Sequence, residues 1–153
     1  IKANGYGHGM IPAAQALGAA DAFGVACLDE ALLLRSAKID KTIILMEGFF
    51  SAAELKVAAE HQFEIVIHHP EQIKILQNTQ VEKPIKVWLK IDTGMHRLGF
   101  PPEQANTVYQ TLKAMPQVLP NITWITHLAD ADDVSKDTTP QQISLFEQTT
   151  QNL

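Results

Sequence analysis

A single cysteine, Cys27, stands among 153 residues, so no internal disulfide can brace this chain. Nothing in its cysteine usage points to an oxidising compartment. No apolar run approaches the roughly 20 residues of a membrane-spanning helix, which excludes a span of that kind. Aromatic residues make up only 7%, and the 19% that are charged form no block of either sign. The net charge of −5 and the scattering of the basic residues argue against nucleic acid as a partner. Glycine and proline number eight each, too few for a collagen-like chain, and 46% hydrophobic content excludes disorder. What remains is a chain of single-domain size with one core.

An initiator methionine is also lacking. The chain opens Ile1-Lys2-Ala3-Asn4 on what reads as the last residues of a strand. It stops at Leu153 within an amphipathic stretch that has no terminating Gly or Pro. A fragment is therefore expected.

Short apolar runs rich in β-branched residues alternate with longer amphipathic ones. Strands are expected at 23–28, 42–46, 63–67, 85–91 and 122–127, beside the stub at Ile1. Helix starts are marked by Pro12, by Asp29 as a cap, and by a capping box at Ser51-Ala-Ala-Glu54. Pro70, Pro102 and Pro140 mark three more, the last helix running off the end of the chain. This gives about six β-α units with no hairpin signal, hence parallel strands joined by crossovers. An open doubly wound sheet and a closed (β/α)8 barrel both use that succession. The run Ile85–Asp92 favours the barrel. Val87, Leu89 and Ile91 fall on one face, and Trp88, Lys90 and Asp92 on the other. A sheet covered by helices on both faces would make both apolar, whereas a barrel mouth accommodates a polar inner face. The reading is an incomplete (β/α)8 TIM-type barrel, one partial domain over residues 1–153, since a full barrel takes roughly 250 residues.

In such folds the chemistry collects at the carboxyl ends of strands. Those positions are Lys2, the loop Gly5-Tyr6-Gly7-His8-Gly9, Glu47, His68-His69, Lys90 through Arg97, and His127 through Asp133. A desolvated lysine at a strand end can form a Schiff base, and the glycines let backbone approach a bound group closely; alternatively Lys2 is a surface lysine before a turn. The glycine spacing is not the dinucleotide fingerprint. An inward Lys90 must be paired, because an isolated buried charge is costly; a plain alternative is a salt-bridged turn in which Asp92 pairs with Lys90 or Arg97. His68 and His69 point to opposite faces, so one belongs to the core. No compact ligand spacing exists among the histidines and Asp130, Asp132 and Asp133, so no metal is expected, and the aspartates read as a solvated loop. Cys27, Trp88 and Trp124 read as core residues.

Three of these segments carry a family resemblance. Lys2-Ala-Asn-Gly-Tyr-Gly-His-Gly9 resembles the pyridoxal phosphate signature of alanine racemases. Lys90-Ile-Asp-Thr-Gly-Met-His-Arg-Leu-Gly99 is similar to that family's second signature, and Thr126-His-Leu-Ala-Asp-Ala-Asp132 to its third. Glu47-Gly-Phe-Phe50 is similar to the variant of proteobacterial members. The resemblance implies the cofactor pyridoxal 5′-phosphate, held by Lys2, which then acts as the base on one substrate face. It implies that Tyr6 bonds the cofactor phosphate and that Arg97 reaches the cofactor's phenolic oxygen and the substrate carboxylate. It implies a carbamate on Lys90 that orients Arg97, and a supporting role for His127 beside a further arginine. Alanine as substrate, a homodimer in the intact protein and a cytoplasmic role in supplying D-alanine for peptidoglycan follow from the same resemblance. The second catalytic base (a tyrosine of the partner subunit), the remaining phosphate ligands and the family's C-terminal β domain do not occur in these 153 residues. Gly5 and Leu128 replace the commoner alanine and aromatic. A different barrel-type pyridoxal enzyme or a non-catalytic cofactor-holding protein shares the Schiff-base lysine but not the full set of motifs.

Overall fold

A computed structural model describes residues 1–151. Leu153, where the sequence stops, lies outside the described residues. Five strands, β1 (Ala22–Val25), β2 (Thr42–Leu45), β3 (Glu64–Ile67), β4 (Val87–Lys90) and β5 (Thr123–Ile125), form one parallel sheet in the order β1-β2-β3-β4-β5. That order decides between the two architectures. A doubly wound sheet reverses its strand order at a switch point, whereas a barrel adds each strand beside the last. The sheet is the wall of an incomplete (β/α) barrel.

The strands form where burial of one face under the helices rewards apolar, β-branched residues at alternate positions. Ile43, Leu45, Ile65, Ile67, Val87 and Leu89 are fully buried in a continuous core. β1 begins one residue before its expected start, and all strands but β3 stop short of their expected carboxyl ends, where the chain leaves the ladder for the exit loops. Ile85 and Ile91 join the β4 region only through isolated bridges to Val118 and Phe100.

Among the described residues the count is five strands, not six. Ile1 makes one bond to the sheet, its terminal amine donating to the Gly24 carbonyl at 2.8 Å, and the chain then turns away as α1 (Lys2–Tyr6). One residue cannot make a ladder.

Helices α2 (Met10–Ala16), α3 (Leu28–Ser36), α4 (Ala52–Glu60), α5 (Pro70–Asn78), α6 (Ala105–Lys113) and α7 (Thr138–Thr150) fill the connections. α4 is capped as its sequence foretells, Ser51 accepting from the Glu54 N–H at 3.2 Å. The Glu54 carboxylate reaches the Phe50 N–H, one residue before the cap. α3 departs from expectation. Its cap is Cys27, and Asp29 lies within the first turn. Glu30 supplies the missing acceptor by taking the Ala26 N–H at 2.7 Å. Cys27 is half-buried rather than core. So are Trp88, whose indole N–H donates to the Glu64 carboxylate, and Trp124, which stacks on Tyr109. Each indole keeps a polar or wet edge, as amphipathic rings do. α7 ends at Thr150, within the chain.

Candidate active site

The first site segment owes its shape to backbone handedness. Ala3, Asn4, Gly5 and Tyr6 all have φ between +52° and +63°, so α1 is a left-handed turn. For residues other than glycine this costs roughly 1–2 kcal/mol each. Side chains and backbone bonds hold it closed. Asn4 Oδ1 accepts from the Met10 N–H at 3.0 Å, and Glu30 Oε1 accepts from the Ala3 N–H at 2.7 Å. Gly9 donates to the Asn4 carbonyl at 2.9 Å. Gly5 is buried there because a Cβ would lie 3.2 Å from that of Ala13. Persistent strain of this kind marks segments that a site requires in one shape. The turn fixes Lys2 and Tyr6, both exposed, at the edge of β1.

The second segment leaves β4 and folds back. Phe100 donates to the Lys90 carbonyl and accepts from the Asp92 N–H, which closes residues 91–99 into a loop. Gly99 permits the closure, since a Cβ there would lie 2.8 Å from the Asp92 nitrogen. Asp92 does not pair with Lys90 or Arg97. Its Oδ1 accepts from the Gly94 and His96 N–H groups at 3.0 Å each, and Oδ2 faces the His96 ring at 3.2 Å. Burial opposes ionisation, but those bonds win and hold the carboxyl below its ordinary range. Asp92→Asn is therefore expected to cost about 1–2 kcal/mol at neutral pH, the worth of charge-assisted bonds. A carboxyl whose folded pKa is depressed stabilises above its unfolded pKa and loses that contribution as pH falls through the folded one. Denaturant melts at pH 7 and near pH 3 check this; the difference between the two proteins should shrink in acid.

Lys90 itself is buried to 7% exposure at the end of β4, on the inner face. Burial first, and the Arg97 guanidinium second, push its amine below the ordinary value, while Asp92 opposes them. Across the ladder Lys90 pairs in register with Ile125. His127 lies just beyond, and the Thr93 and Thr126 hydroxyls bond at 2.8 Å between the two exits. Partial desolvation, then the charges of Lys90, Arg97 and Lys2, keep the His127 imidazole below its usual pKa. Residues from three separate motifs thus converge at the carboxyl end of the sheet. Tyr6 is exposed, and its hydroxyl enters none of the side-chain hydrogen bonds among the described residues.

Sequence reasoning placed one of the two adjacent histidines in the core, and that one is His68; His69 is exposed and caps α5, its ring accepting from the Glu71 N–H. It missed Gln72. This buried side chain on α5 accepts from the His68 and His69 N–H groups and donates to the Glu47 and Phe49 carbonyls. A polar residue on the inner side of an otherwise amphipathic helix was the available signal. Gln142 is a second such case, taking the Ala129 N–H from α7. Asp130 and Asp133 pair with Lys136 in a surface loop, and no trio of metal-ligating residues occurs among the described residues. A cavity of about 650 Å³ at Lys56, Glu60 and Gln80–Glu82 lies at the amino-terminal ends of the strands, away from all of these groups.

The ion pairs among the described residues use Lys74, Lys136 and His96, never Lys2, Lys90 or Arg97. The charges of all three reach His127 at the carboxyl end of the sheet, and cations held there outside any ion pair among the described residues suit an anionic ligand. A phosphorylated aldehyde with a phenolic oxygen fits that donor set, which includes an exposed lysine amine at Lys2.

The family model for the N-terminal domain of alanine racemase matches residues 1–153. An alanine racemase of Shewanella baltica is 46% identical over all 153 residues, which are 43% of its own length. One from Coxiella burnetii is 48% identical over the same residues, 42% of its length. Among solved structures, the biosynthetic alanine racemase of Pseudomonas aeruginosa superposes with a TM-score of 0.90 at 38% identity, covering 96% of this chain and 41% of that one. The chain spans about two fifths of the length of the curated relatives it matches.

Proposed function

From a chain that belongs to the alanine racemase N-terminal domain family, we propose that these residues form the lysine-bearing side of an active site that interconverts L- and D-alanine. Pyridoxal 5′-phosphate, when bound, supplies a conjugated electron sink that makes the α-proton of an amino acid removable. Lys2 binds the cofactor carbonyl through its amine and afterwards takes and returns the proton on one face of the substrate. The left-handed turn holds that amine and the Tyr6 hydroxyl in one rigid segment, the hydroxyl bonding the phosphate. Arg97 receives the phenolic oxygen and the substrate carboxylate. His127, whose imidazole pKa is lowered first by partial burial and then by neighbouring cations, positions its neighbours without adding a charge. The observation that carries the reading is the set of three cations, unpaired by protein anions among the described residues, on motifs far apart in sequence.

Lys90 belongs to the same reading as a positioning residue. Its lowered amine pKa favours the neutral form that carbon dioxide requires, and a carbamate there turns a buried cation into an anion facing Arg97. Lys90→Ala in the full-length protein should lower racemisation about 10²-fold, the effect of a misplaced binding group. Added short carboxylates should restore part of it. Full activity without rescue would remove Lys90 from the site. The reading also makes the intact protein a cytoplasmic homodimer that supplies D-alanine for peptidoglycan.

The direct test is an assay of the full-length protein on alanine, serine, lysine and arginine. Racemisation of alanine is expected. Decarboxylation, or no turnover of alanine, would redirect the assignment to another class of barrel-type pyridoxal enzyme.

A further inference from the structure

His68 is 8% exposed and held from two sides. Its Nε2 lies 2.9 Å from the Glu47 carbonyl oxygen, which can only accept, so Nε2 carries the proton. The Gln72 amide nitrogen lies farther off, 3.4 Å from Nε2, and gives its own N–H to the same Glu47 carbonyl at 3.1 Å, so the shorter contact to a pure acceptor fixes the tautomer. Burial, partly opposed by the Glu47 carbonyl and reinforced by the charges of Lys90 and His69, keeps the ring neutral. Nδ1 is therefore a bare lone pair. It is buried and has no hydrogen-bond partner among the described residues. A buried acceptor left without a donor costs on the order of 1–3 kcal/mol, so one in a well-satisfied network asks for an explanation.

The sheet register says what stands beside it. Ile67 of β3 pairs with Leu89 of β4, so the next positions on these parallel strands are His68 and Lys90. Neighbouring strands lie about 4.8 Å apart, and register partners share a face. Gly99 donates to the His68 carbonyl and Phe100 to the Lys90 carbonyl, which continues the alignment past the strand ends.

We propose that His68 is a positioning residue for Lys90, its Nδ1 accepting the one N–H that remains when the Lys90 amine carries a carbamate. The inference rests on the reading of Lys90 given above. The neutral amine's lone pair attacks the carbon of carbon dioxide, and an N–C bond forms. One C–O π pair becomes a carboxylate lone pair, and the nitrogen releases one proton to water. The product has a single N–H and two acceptor oxygens. With the N–H engaged by His68 on the β3 side, the carboxylate is left to Arg97. Without that acceptor the carbamate is free to rotate and to lose carbon dioxide.

Two near-isosteric variants separate this role from packing. In His68→Asn the amide keeps an acceptor near the Nδ1 position and loses Nε2. His68→Gln keeps a donor for the Glu47 carbonyl and places a methylene where Nδ1 stood. The full-length protein is supplied with isotopically labelled bicarbonate, and the carbamate is read by carbon NMR alongside racemisation. The expected result is that His68→Gln raises the bicarbonate needed for half occupancy about tenfold, as loss of one buried hydrogen bond would. His68→Asn should stay within about threefold of the parent, the difference being the acceptor alone. Equal loss in both variants, or parental occupancy in His68→Gln, overturns the role of Nδ1. A parent that shows no carbamate at any bicarbonate concentration overturns the reading of Lys90 instead, and the proposal with it.

Discussion

Replacing Lys2 by alanine in the full-length protein is expected to remove at least about 10⁴-fold of the racemisation rate, the upper range for loss of a single acid–base group. Two losses coincide at this residue. On the proposed reading, the amine that binds the cofactor carbonyl and the amine that moves the proton are the same atom. Lys90, the other lysine at this end of the sheet, is buried on β4 and not free to take its place. The backbone of the turn needs no lysine, because its bonds are made by Asn4, Glu30 and main-chain groups. Lys2→Ala should therefore fold normally, with an unchanged melting temperature, and should carry no pyridoxyl label after borohydride reduction. A retained label would place the attachment on another residue.

The second large effect is on stability. Gly48→Ala is expected to destabilise the protein by about 3 kcal/mol or more, because two costs add. At φ +69° a side chain is strained, and the new Cβ would lie 2.4 Å from both the Val66 carbonyl oxygen and the Gln72 amide nitrogen. The carbonyl belongs to β3 and cannot give way. Gln72 can move only by dropping the Glu47 and Phe49 carbonyls it bonds. Gly18→Ala is the natural control, since its Cβ would meet nothing closer than the Gln15 carbonyl at 3.6 Å, and it should be within about 0.5 kcal/mol of the parent. Denaturant midpoints of the two variants give the comparison. Equal midpoints would mean that the Glu47–Phe50 bend relaxes freely.

Much of this architecture is legible in the chain. The face that packs under the helices must be apolar, so Ile43, Leu45, Ile65 and Leu89 announce themselves, and Lys90 stands out as a buried charge on the opposite face. Ser51 and Pro70 mark helix starts by local chemistry that tertiary contacts leave alone. Partners were harder to read. Asp92 looks like an ion-pair residue beside Lys90 and Arg97, yet the backbone N–H groups of its own loop reach it first. The handedness of Ala3–Tyr6 has no composition signal, since three of its four residues carry side chains that disfavour it. Asp29 failed as a cap because Glu30, one residue later, can serve two backbone amides at once.

That bridging carboxylate has a kinetic consequence. Glu30 fastens the left-handed turn to the exit of β1 through the amides of Ala3 and Ala26. A segment held in a costly conformation by a few polar bonds opens at a free energy well below that of global unfolding. The backbone amides of Gly5, Gly7 and Gly9 should therefore exchange with solvent deuterium in advance of the β2 and β3 amides, through an opening that spares the sheet. Glu30→Gln, which keeps the shape and drops the charge, should speed that exchange selectively. The residue that sets how long the lysine-bearing turn stays closed is then one that touches no reacting atom.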